Sequence, residues 1–192
     1  MNKISFVIYL VILSTLMGCA GNHEAISRIT IGSRQDIFQV TSASQAVPGK
    51  ALLNIKFPVK ANKAYVFGSF IKHENPPYNI VINIDGQVVE LEDKPVLEDL
   101  PGHYTDNPEA GKGWKYQFRK TLLLMPGKHQ ISITVPVANV VVKKVIILME
   151  GINSFQLSPI YNTPIMRYNR HPLFSKGLRS ISIKLNGEAI DR

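Results

Sequence analysis

The sequence predicts an all-β protein, an antiparallel sandwich of short strands behind an N-terminal apolar segment. Apolar and polar residues alternate over several stretches, and Gly and Pro interrupt these stretches at short intervals. Beyond the first twenty residues, no stretch sustains the 3.6-residue apolar spacing of a helix. The chain has 192 residues, 45% of them hydrophobic, which suffices for one domain with its own core.

The clearest alternation covers residues 51–59. Residues 20–47 are more polar, and their short alternations at Ile29/Ile31 and Phe38/Val40 predict one or two edge strands. The sequence therefore predicts a sandwich of immunoglobulin-like architecture over residues 48–192. Further strands are expected at residues 64–70, 78–91, 115–125, 129–135, 140–149 and 179–190.

Two of these segments contain a hairpin signal. Asp85-Gly86 interrupts the alternation of residues 78–91, and both positions of such a turn favour positive φ. Residues 181–190 repeat the pattern of residues 80–89, which indicates either a duplication or two hairpins that use the same chemistry. Pro126-Gly127 predicts another tight turn.

The first residues have the features of a secretory signal. Lys3 precedes an apolar run over residues 4–17, which is shorter than the ~20 residues of a spanning helix. The run ends in Leu16-Met17-Gly18-Cys19, which resembles the lipobox of bacterial lipoproteins. The alternative is an uncleaved N-terminal anchor helix in which the cysteine is incidental.

The resemblance implies that Cys19 receives a diacylglyceryl group and that a peptidase cuts between Gly18 and Cys19. It implies further acylation of the new amine, and Ala20 in place of Asp implies sorting to the outer membrane. Two or three acyl chains would make attachment effectively permanent. The expected organisation is a signal peptide at residues 1–18, a lipidated tether at 19–47 and the sandwich at 48–192.

Charge is unevenly distributed along the chain. The formal net charge is +8, yet residues 85–111 hold eight acidic residues and one lysine, while residues 112–142 hold five basic residues and no acidic one. A basic exported domain is attracted to anionic lipid head groups or cell-wall polymers. The alternative is that these side chains only keep the surface soluble. Nucleic acid is not an expected partner.

Sequence motifs of catalysis are missing. The chain has no Gly-x-Ser-x-Gly, His-Glu-x-x-His, phosphate-binding loop or dinucleotide fingerprint. Its five histidines lack the spacing of a metal site, and lipidation would consume the only thiol. We therefore expect no cofactor, no metal and no enzymatic activity. The alternative is an enzyme that uses His103 with Asp99 or Asp106.

A long connection at residues 92–113 leads to the only tryptophan, Trp114. Tyr104, Trp114 and Tyr116 could stack on a sugar ring, which gives a carbohydrate- or cell-wall-binding module as an alternative function. The carboxylates of Asp99, Asp106 and Glu109 could then bind its hydroxyl groups, or could hold Ca²⁺. In the competing interpretation, Trp114 and Tyr116 pack on the core and the acids are solvated.

A second connection, residues 157–176, contains three prolines and predicts irregular structure. Arg167, Tyr168 and Arg170 give it aromatic and cationic character, suited to an anionic glycan or a protein partner. Alternatively it seals one end of the sandwich, with arginine stems lying on aromatic rings.

Residues 80–134 loosely resemble the PEGA-type β-domains of bacterial surface lipoproteins. The resemblance rests on Ile84-Asp85-Gly86 and on residues 127–131 (Gly-Lys-His-Gln-Ile), although the stretch between them is longer than in that family. The function we expect is that of a lipid-anchored, non-enzymatic envelope protein. Its role would be structural, adhesive or in assembly, with loops that bind a partner.

Overall fold

The structure is a computed structural model that describes residues 26–62, 78–103, 105–164 and 171–190. The predicted strand at 64–70 and the predicted signal peptide lie outside these residues. The strands are β1 (Phe38–Val40), β2 (Ala51–Ala61), β3 (Ile80–Ile84), β4 (Gln87–Leu91), β5 (Val96–Leu100), β6 (Gly111–Leu124), β7 (Gly127–Val135), β8 (Val140–Leu148), β9 (Gly151–Tyr161), β10 (Leu178–Leu185) and β11 (Glu188–Ala189). Two short 3₁₀ turns lie at Pro136–Ala138 and Phe174–Lys176.

The strands form two sheets. The large sheet has the order β1-β6-β2-β9-β10-β11. Strands β1 and β5 both pair with β6, β1 with its C-terminal end at residues 122–124 and β5 with its N-terminal end at residues 111–115. The small sheet has the order β4-β3-β7-β8. All pairs are antiparallel except β2 with β9, which run parallel from Ala51↔Gly151 to Lys56↔Gln156. The predicted all-β sandwich is confirmed, with one parallel pair at the centre of the large sheet.

The core lies between the inward faces of the two sheets. From the large sheet, Phe57, Phe118 and Phe155 are at most 1% exposed, and from the small sheet Ile82 and Ile133 are fully buried. Alternate residues of a strand point to opposite faces, so the alternation in the sequence places these side chains on one side. Each buried side chain of this size contributes about 1.5–3 kcal/mol.

Both predicted hairpins form, and they share an unusual contact. Asp85 and Asn186 adopt positive φ (48° and 53°), each followed by a positive-φ glycine. The Asp85 N–H donates to the Gln130 carbonyl, and the Gln130 N–H donates to Asp85 Oδ1. Asn186 makes the same two bonds with Ser154. Each turn residue thus extends the pairing with the neighbouring strand by one residue.

The N-terminal part of the described chain packs on the sandwich. Residues 26–30 form a helical turn in which Ile29 is 7% exposed. The Gln87 side-chain oxygen accepts the N–H groups of Ile37 and Phe38, and Phe38 lies in the core. The expected edge strand at Phe38/Val40 is β1, whereas Ile29 belongs to the helical turn and not to a strand.

Two expectations about the connections were wrong. Residues 96–100, expected in a long irregular connection, form strand β5 on the edge of β6. Residues 157–161, expected to be irregular, complete strand β9. The tight turn predicted at Pro126-Gly127 is present, since only Met125 and Pro126 separate β6 from β7, and it joins strands of different sheets.

The chain crosses between the sheets again at Met149-Glu150, from β8 to β9. Asn153 is fully buried, and its side chain bonds both the N–H and the carbonyl of Met149. The N–H and carbonyl of Met149 lie between two strands of different sheets and have no strand partner, so the Asn153 side chain supplies their hydrogen bonds.

Candidate functional site

The parallel strands β2 and β9 separate toward one end of the sandwich. Backbone pairing of β2 with β9 ends at Lys56↔Gln156, although β2 continues to Ala61 and β9 to Tyr161. Beyond this point the Tyr161 hydroxyl accepts the backbone N–H of Lys60 at 2.9 Å. A side chain thus replaces the missing strand partner, and a cleft lies beside the ends of the two strands, between them and the turns at Pro136–Ala138 and Phe174–Lys176.

A buried lysine lies beneath the cleft. The Lys60 side chain has no exposed surface, and its Nζ donates to the carbonyl oxygens of Glu109 (2.9 Å) and Gly111 (2.6 Å). The carboxylate of Glu98 lies 3.1 Å from Nζ, as an ion pair without hydrogen-bond geometry. A buried charge is tolerated only when it is paired and hydrogen-bonded, and Lys60 meets both conditions.

The carboxylate of Glu109 extends this network. Tyr161 donates its hydroxyl hydrogen to Glu109 Oε1 at 2.6 Å, and Lys115 forms an ion pair with Oε2. Both Glu109 and Lys115 are largely buried, with side chains 17% and 15% exposed. We refer to Lys60, Glu98, Glu109, Lys115 and Tyr161 as the lysine cluster. It ties the loop before β6 to strands β2, β5 and β9.

Phe174 covers the cluster from the side of the cleft. Its ring centroid lies 5.1 Å from Lys60 Nζ, within the range of a cation–π contact. A Cβ atom at Gly113 would lie 2.5 Å from the Phe174 ring and 2.9 Å from the carbonyl oxygen of Ala61. Only glycine at position 113 allows this close packing.

The cleft encloses a cavity of about 460 Å³. Ligand cavities of proteins commonly have volumes of about 300–1,000 Å³ and combine apolar walls with a few polar groups. Here the walls include two aromatic rings, two amide side chains, an apolar residue and the stem of the buried lysine: Tyr78, Phe174, Asn62, Asn162, Val137 and Lys60. The cavity therefore has the size and composition of a binding site.

Burial perturbs the phenols around the cleft. Burial, with a smaller effect of Tyr116, raises the pKa of Tyr78 to about 12. Burial, then the hydrogen bond with Glu109 and its charge, raises the pKa of Tyr161 far above its ordinary value. Burial and the charge of Asp93 raise the pKa of Tyr116. In all three cases the low-dielectric surroundings disfavour the phenolate.

These shifts predict a loss of stability at alkaline pH. In the unfolded chain a tyrosine ionises near pH 10, whereas Tyr78 in the folded protein ionises at about pH 12. Because the folded state keeps its proton longer, the stabilising contribution is complete below pH ~10 and is lost as the pH rises toward ~12. Urea-unfolding midpoints measured across this range should fall steadily, and the phenolate absorbance should rise mainly with unfolding.

Tyr78→Phe is the matched control, because phenylalanine keeps the ring and removes the ionisable hydroxyl. We expect a shallower fall of the midpoint in this variant. If folded wild-type protein titrates all its tyrosines near pH 10, the burial of these phenols is contradicted.

Of the three aromatic residues predicted to stack on a sugar ring, two lie in the described structure. Tyr116 is 2% exposed and stacks on Phe118, with ring centroids 5.3 Å apart. Trp114 is half-buried against the core, and its indole N–H is buried without a hydrogen-bond partner. Tyr116 therefore presents no ring face to solvent, as the core-packing interpretation expected.

Several proposed residues lie outside the described part of the chain. They are Gly18 and Cys19 of the lipobox, Tyr104, and the three residues of the second connection, Arg167, Tyr168 and Arg170.

The three residues of the proposed acid–base cluster lie on β5 and in the turn that follows it. The carbonyl of His103 accepts the N–H groups of Asp106 and Asn107, and the Asp106 carboxylate accepts a bond from Thr105. Asp99 lies on β5 opposite Lys112. Within residues 26–62, 78–103, 105–164 and 171–190, no three His, Cys, Asp or Glu side chains are grouped so that they could hold a metal ion.

The sequence did not predict Lys60, Glu98 or Tyr78 as part of a site, whereas Phe174 belongs to the second connection, residues 157–176, for which partner binding was predicted. Lys60 follows the alternation of β2 as a polar position, which predicts exposure to solvent. Its burial depends on Phe174, on the loop before β6 and on β5, all distant in sequence.

The fold and the cleft place this chain in the class of two-sheet β-sandwich domains, with a buried, ion-paired lysine below an open end. Compared with models of protein families, with curated proteins and with solved structures, the chain matches none of them. In the part of the chain that the structure describes, no helix has the length and apolarity required to cross a bilayer.

Proposed function

We propose that this protein is a lipid-anchored, non-enzymatic lipoprotein of the bacterial cell envelope, attached to the outer membrane through Cys19. The observation that carries this proposal is the position of the only cysteine of the chain, directly after the apolar run and within Leu16-Met17-Gly18-Cys19. Acyl chains on this thiol and on the new amine would hold the domain at the membrane surface.

The position of the first packed residues supports a domain held close to its anchor. Ile29 is buried, and Ile26 is seven positions after Cys19. Seven residues reach at most about 25 Å when fully extended. The domain would therefore stay within that distance of the bilayer.

The lysine cluster supports a structural rather than a catalytic role. Lys60 Nζ bonds two carbonyl groups and lies beside a carboxylate, and the Tyr161 hydroxyl both donates and accepts. A general base or nucleophile needs a group that can reach a substrate proton or carbon. The ammonium of Lys60 and the hydroxyl of Tyr161 instead bond to groups of the protein, and these bonds hold the loop before β6 in place.

The cleft above the cluster is the site that we assign to partner binding. Its two aromatic rings and two amide side chains suit an extended protein segment, which would use apolar contact and backbone hydrogen bonds. The same composition favours a second candidate, a carbohydrate or cell-wall polymer, since sugar rings stack on tyrosine and their hydroxyls bond to asparagine. In this second function Tyr78 and Asn162 replace the pair Tyr104 and Trp114 that the sequence suggested.

The anchor is tested by Cys19→Ser in the full-length chain. Wild-type protein isolated from cells should have an intact mass that begins at Cys19 and includes acyl chains, whereas the variant should retain residues 1–18 and take up no labelled fatty acid. Adding Ser14→Cys to the variant is the matched control. This second substitution places a thiol inside the apolar run, but the residue before it is Leu13 and not a small residue such as Gly18. We therefore expect neither acylation nor cleavage of the double variant.

The proposal is overturned if wild-type protein begins at Met1 and carries an unmodified thiol.

A further inference from the structure

The outward face of β8 carries an apolar strip. Val145, Ile147 and Met149 are 47%, 67% and 62% exposed, whereas the intervening Ile146 and Leu148 are 2% exposed. Side chains alternate between the two faces of a strand, so Val145 and Ile147 form one row on the outside of the small sheet, and Met149 directly follows the end of β8. β8 is also the last strand of that sheet. A row of exposed large apolar residues on an edge strand indicates a contact surface.

Basic side chains accompany the strip. Lys128 of β7 is opposite Ile147, and Lys143 precedes Val145 by two residues on the same strand. Both lysines are exposed and share the outward face with the strip. Of the acidic residues near this face, Glu90 lies on β4 at the far edge of the sheet from β8, and the carboxylate of Asp85 is bonded to Gln130 and His129. The β8 side of the face therefore combines apolar and positively charged groups.

The chain approaches the domain on this same face. The side-chain amide of Asn83 on β3 donates to the carbonyl of Ile29 at 2.9 Å. Asn83 is opposite Ser132 of β7, which is opposite Lys143 of β8, so the three residues form one row across the sheet. Neighbouring strands are about 4.8 Å apart, which places the chain about 10 Å from β8. Cys19 lies at most about 25 Å of chain before Ile26.

We propose that the outer face of the small sheet rests on the bilayer that holds the anchor, with Val145, Ile147 and Met149 in the head-group region. Lys128 and Lys143 would then lie against anionic lipid head groups. This inference rests on the proposed lipid anchor and adds an orientation to it. Apolar side chains buried at the interface and lysines near anionic lipids each favour such contact.

The test uses full-length lipidated protein with one added cysteine, which is the only free thiol once Cys19 is acylated. A fluorophore is attached to Ile147→Cys, and to Val96→Cys as the matched control, since Val96 is 68% exposed on β5 of the large sheet. Each protein is reconstituted in vesicles of phosphatidylethanolamine and phosphatidylglycerol that contain doxyl-labelled lipid, a quencher confined to the bilayer. Flotation of the vesicles is measured on the same samples.

We expect quenching at position 147 on the order of threefold stronger than at position 96, because only the former lies in the interface. Lys128→Glu together with Lys143→Glu should reduce the difference, as should replacing phosphatidylglycerol by phosphatidylcholine. Equal quenching at both positions in protein that floats overturns the orientation and leaves the anchor intact. Protein that does not float overturns the anchor itself.

A blue-shifted emission at position 147 that depends on protein concentration, without quenching by doxyl lipid, would assign the strip to a second copy of the chain. That result also overturns the membrane contact.

Discussion

Replacing Lys60 by methionine should lower the free energy of unfolding by about 3–5 kcal/mol, the typical result of removing one partner of a buried ion pair. Methionine keeps the apolar stem but not the ammonium group. The carbonyls of Glu109 and Gly111 then lose their donor, and the carboxylate of Glu98 is left without its cation. The loss is large because two carbonyl groups lose their donor at once beside a fully buried side chain, whereas the carboxylate of Glu98, 35% exposed, is partly solvated.

Lys56→Met is the matched control for this variant. Lys56 lies four residues earlier on β2, where its side chain is exposed. We expect a change within about 0.5 kcal/mol. Urea unfolding followed by the fluorescence of Trp114, the only tryptophan, measures both variants. Equal stability of the two variants would show that the cluster does not hold the cleft end together.

A double variant separates loss of charge from loss of packing. Adding Glu98→Gln to Lys60→Met removes the uncompensated carboxylate while keeping the side-chain shape. We expect part of the stability to return, since the two residues form one pair and their effects are not additive. The unpaired carbonyls of Glu109 and Gly111 should prevent full recovery.

The second large effect is expected at the turn between β3 and β4. Asp85→Ala should lower the free energy of unfolding by about 3 kcal/mol, from two lost hydrogen bonds and from a left-handed backbone that alanine disfavours. The carboxylate bonds His129 Nδ1 at 2.6 Å and accepts the Gln130 N–H at 2.8 Å, and φ of Asp85 is 48°. These bonds join the turn to β7, the strand next to it.

Asp85→Asn is the matched control, because asparagine tolerates positive φ and can still accept the Gln130 N–H. It loses only the charge opposite His129, so we expect a smaller change, of about 1 kcal/mol. Asn186→Ala at the equivalent turn should also destabilise the protein, since Asn186 accepts the Ser154 N–H at 2.8 Å and has φ of 53°. Wild-type stability of Asp85→Ala would contradict the role of the turn side chain.

The two hairpins also show what the internal sequence similarity means structurally. Residues 80–89 and 181–190 share more than a turn type, because Asp85 and Asn186 form the same pair of bonds to Gln130 and Ser154 on neighbouring strands. An Asp or Asn is needed at this position both for its side-chain acceptor and for its tolerance of positive φ. Either a duplication or convergence on this chemistry gives the observed similarity.

The two elements of the resemblance to PEGA-type domains are adjacent in space. Asp85 of the Ile-Asp-Gly turn contacts His129 and Gln130 of the Gly-Lys-His-Gln-Ile segment. The long stretch between them contains β5 and β6, which join the large sheet. The two segments are therefore close in space although a long stretch of sequence lies between them.

The sequence by itself determined the fold class, most strands and both hairpins. The alternation at residues 51–59 and the turns at Asp85-Gly86 and Asn186-Gly187 are local signals, and each gives the structure that its own residues favour. Residues 151–156 of β9 were not predicted as a strand. Asn153 occupies a buried position of this segment, so apolar and polar residues do not alternate there as they do in β2.

Only the tertiary structure decided which strands pair, and with them the site. The parallel pair β2 and β9 joins segments about a hundred residues apart, and where this pair separates, Tyr161 reaches Lys60. No local pattern encodes such a contact, because the burial of a polar side chain depends on what the rest of the chain places around it. The alternation of β2 predicts that Lys60 is exposed. In the folded protein Lys60 is buried and ion-paired, because Glu98 of β5 and Phe174 of a 3₁₀ turn, both distant in sequence, pack against it.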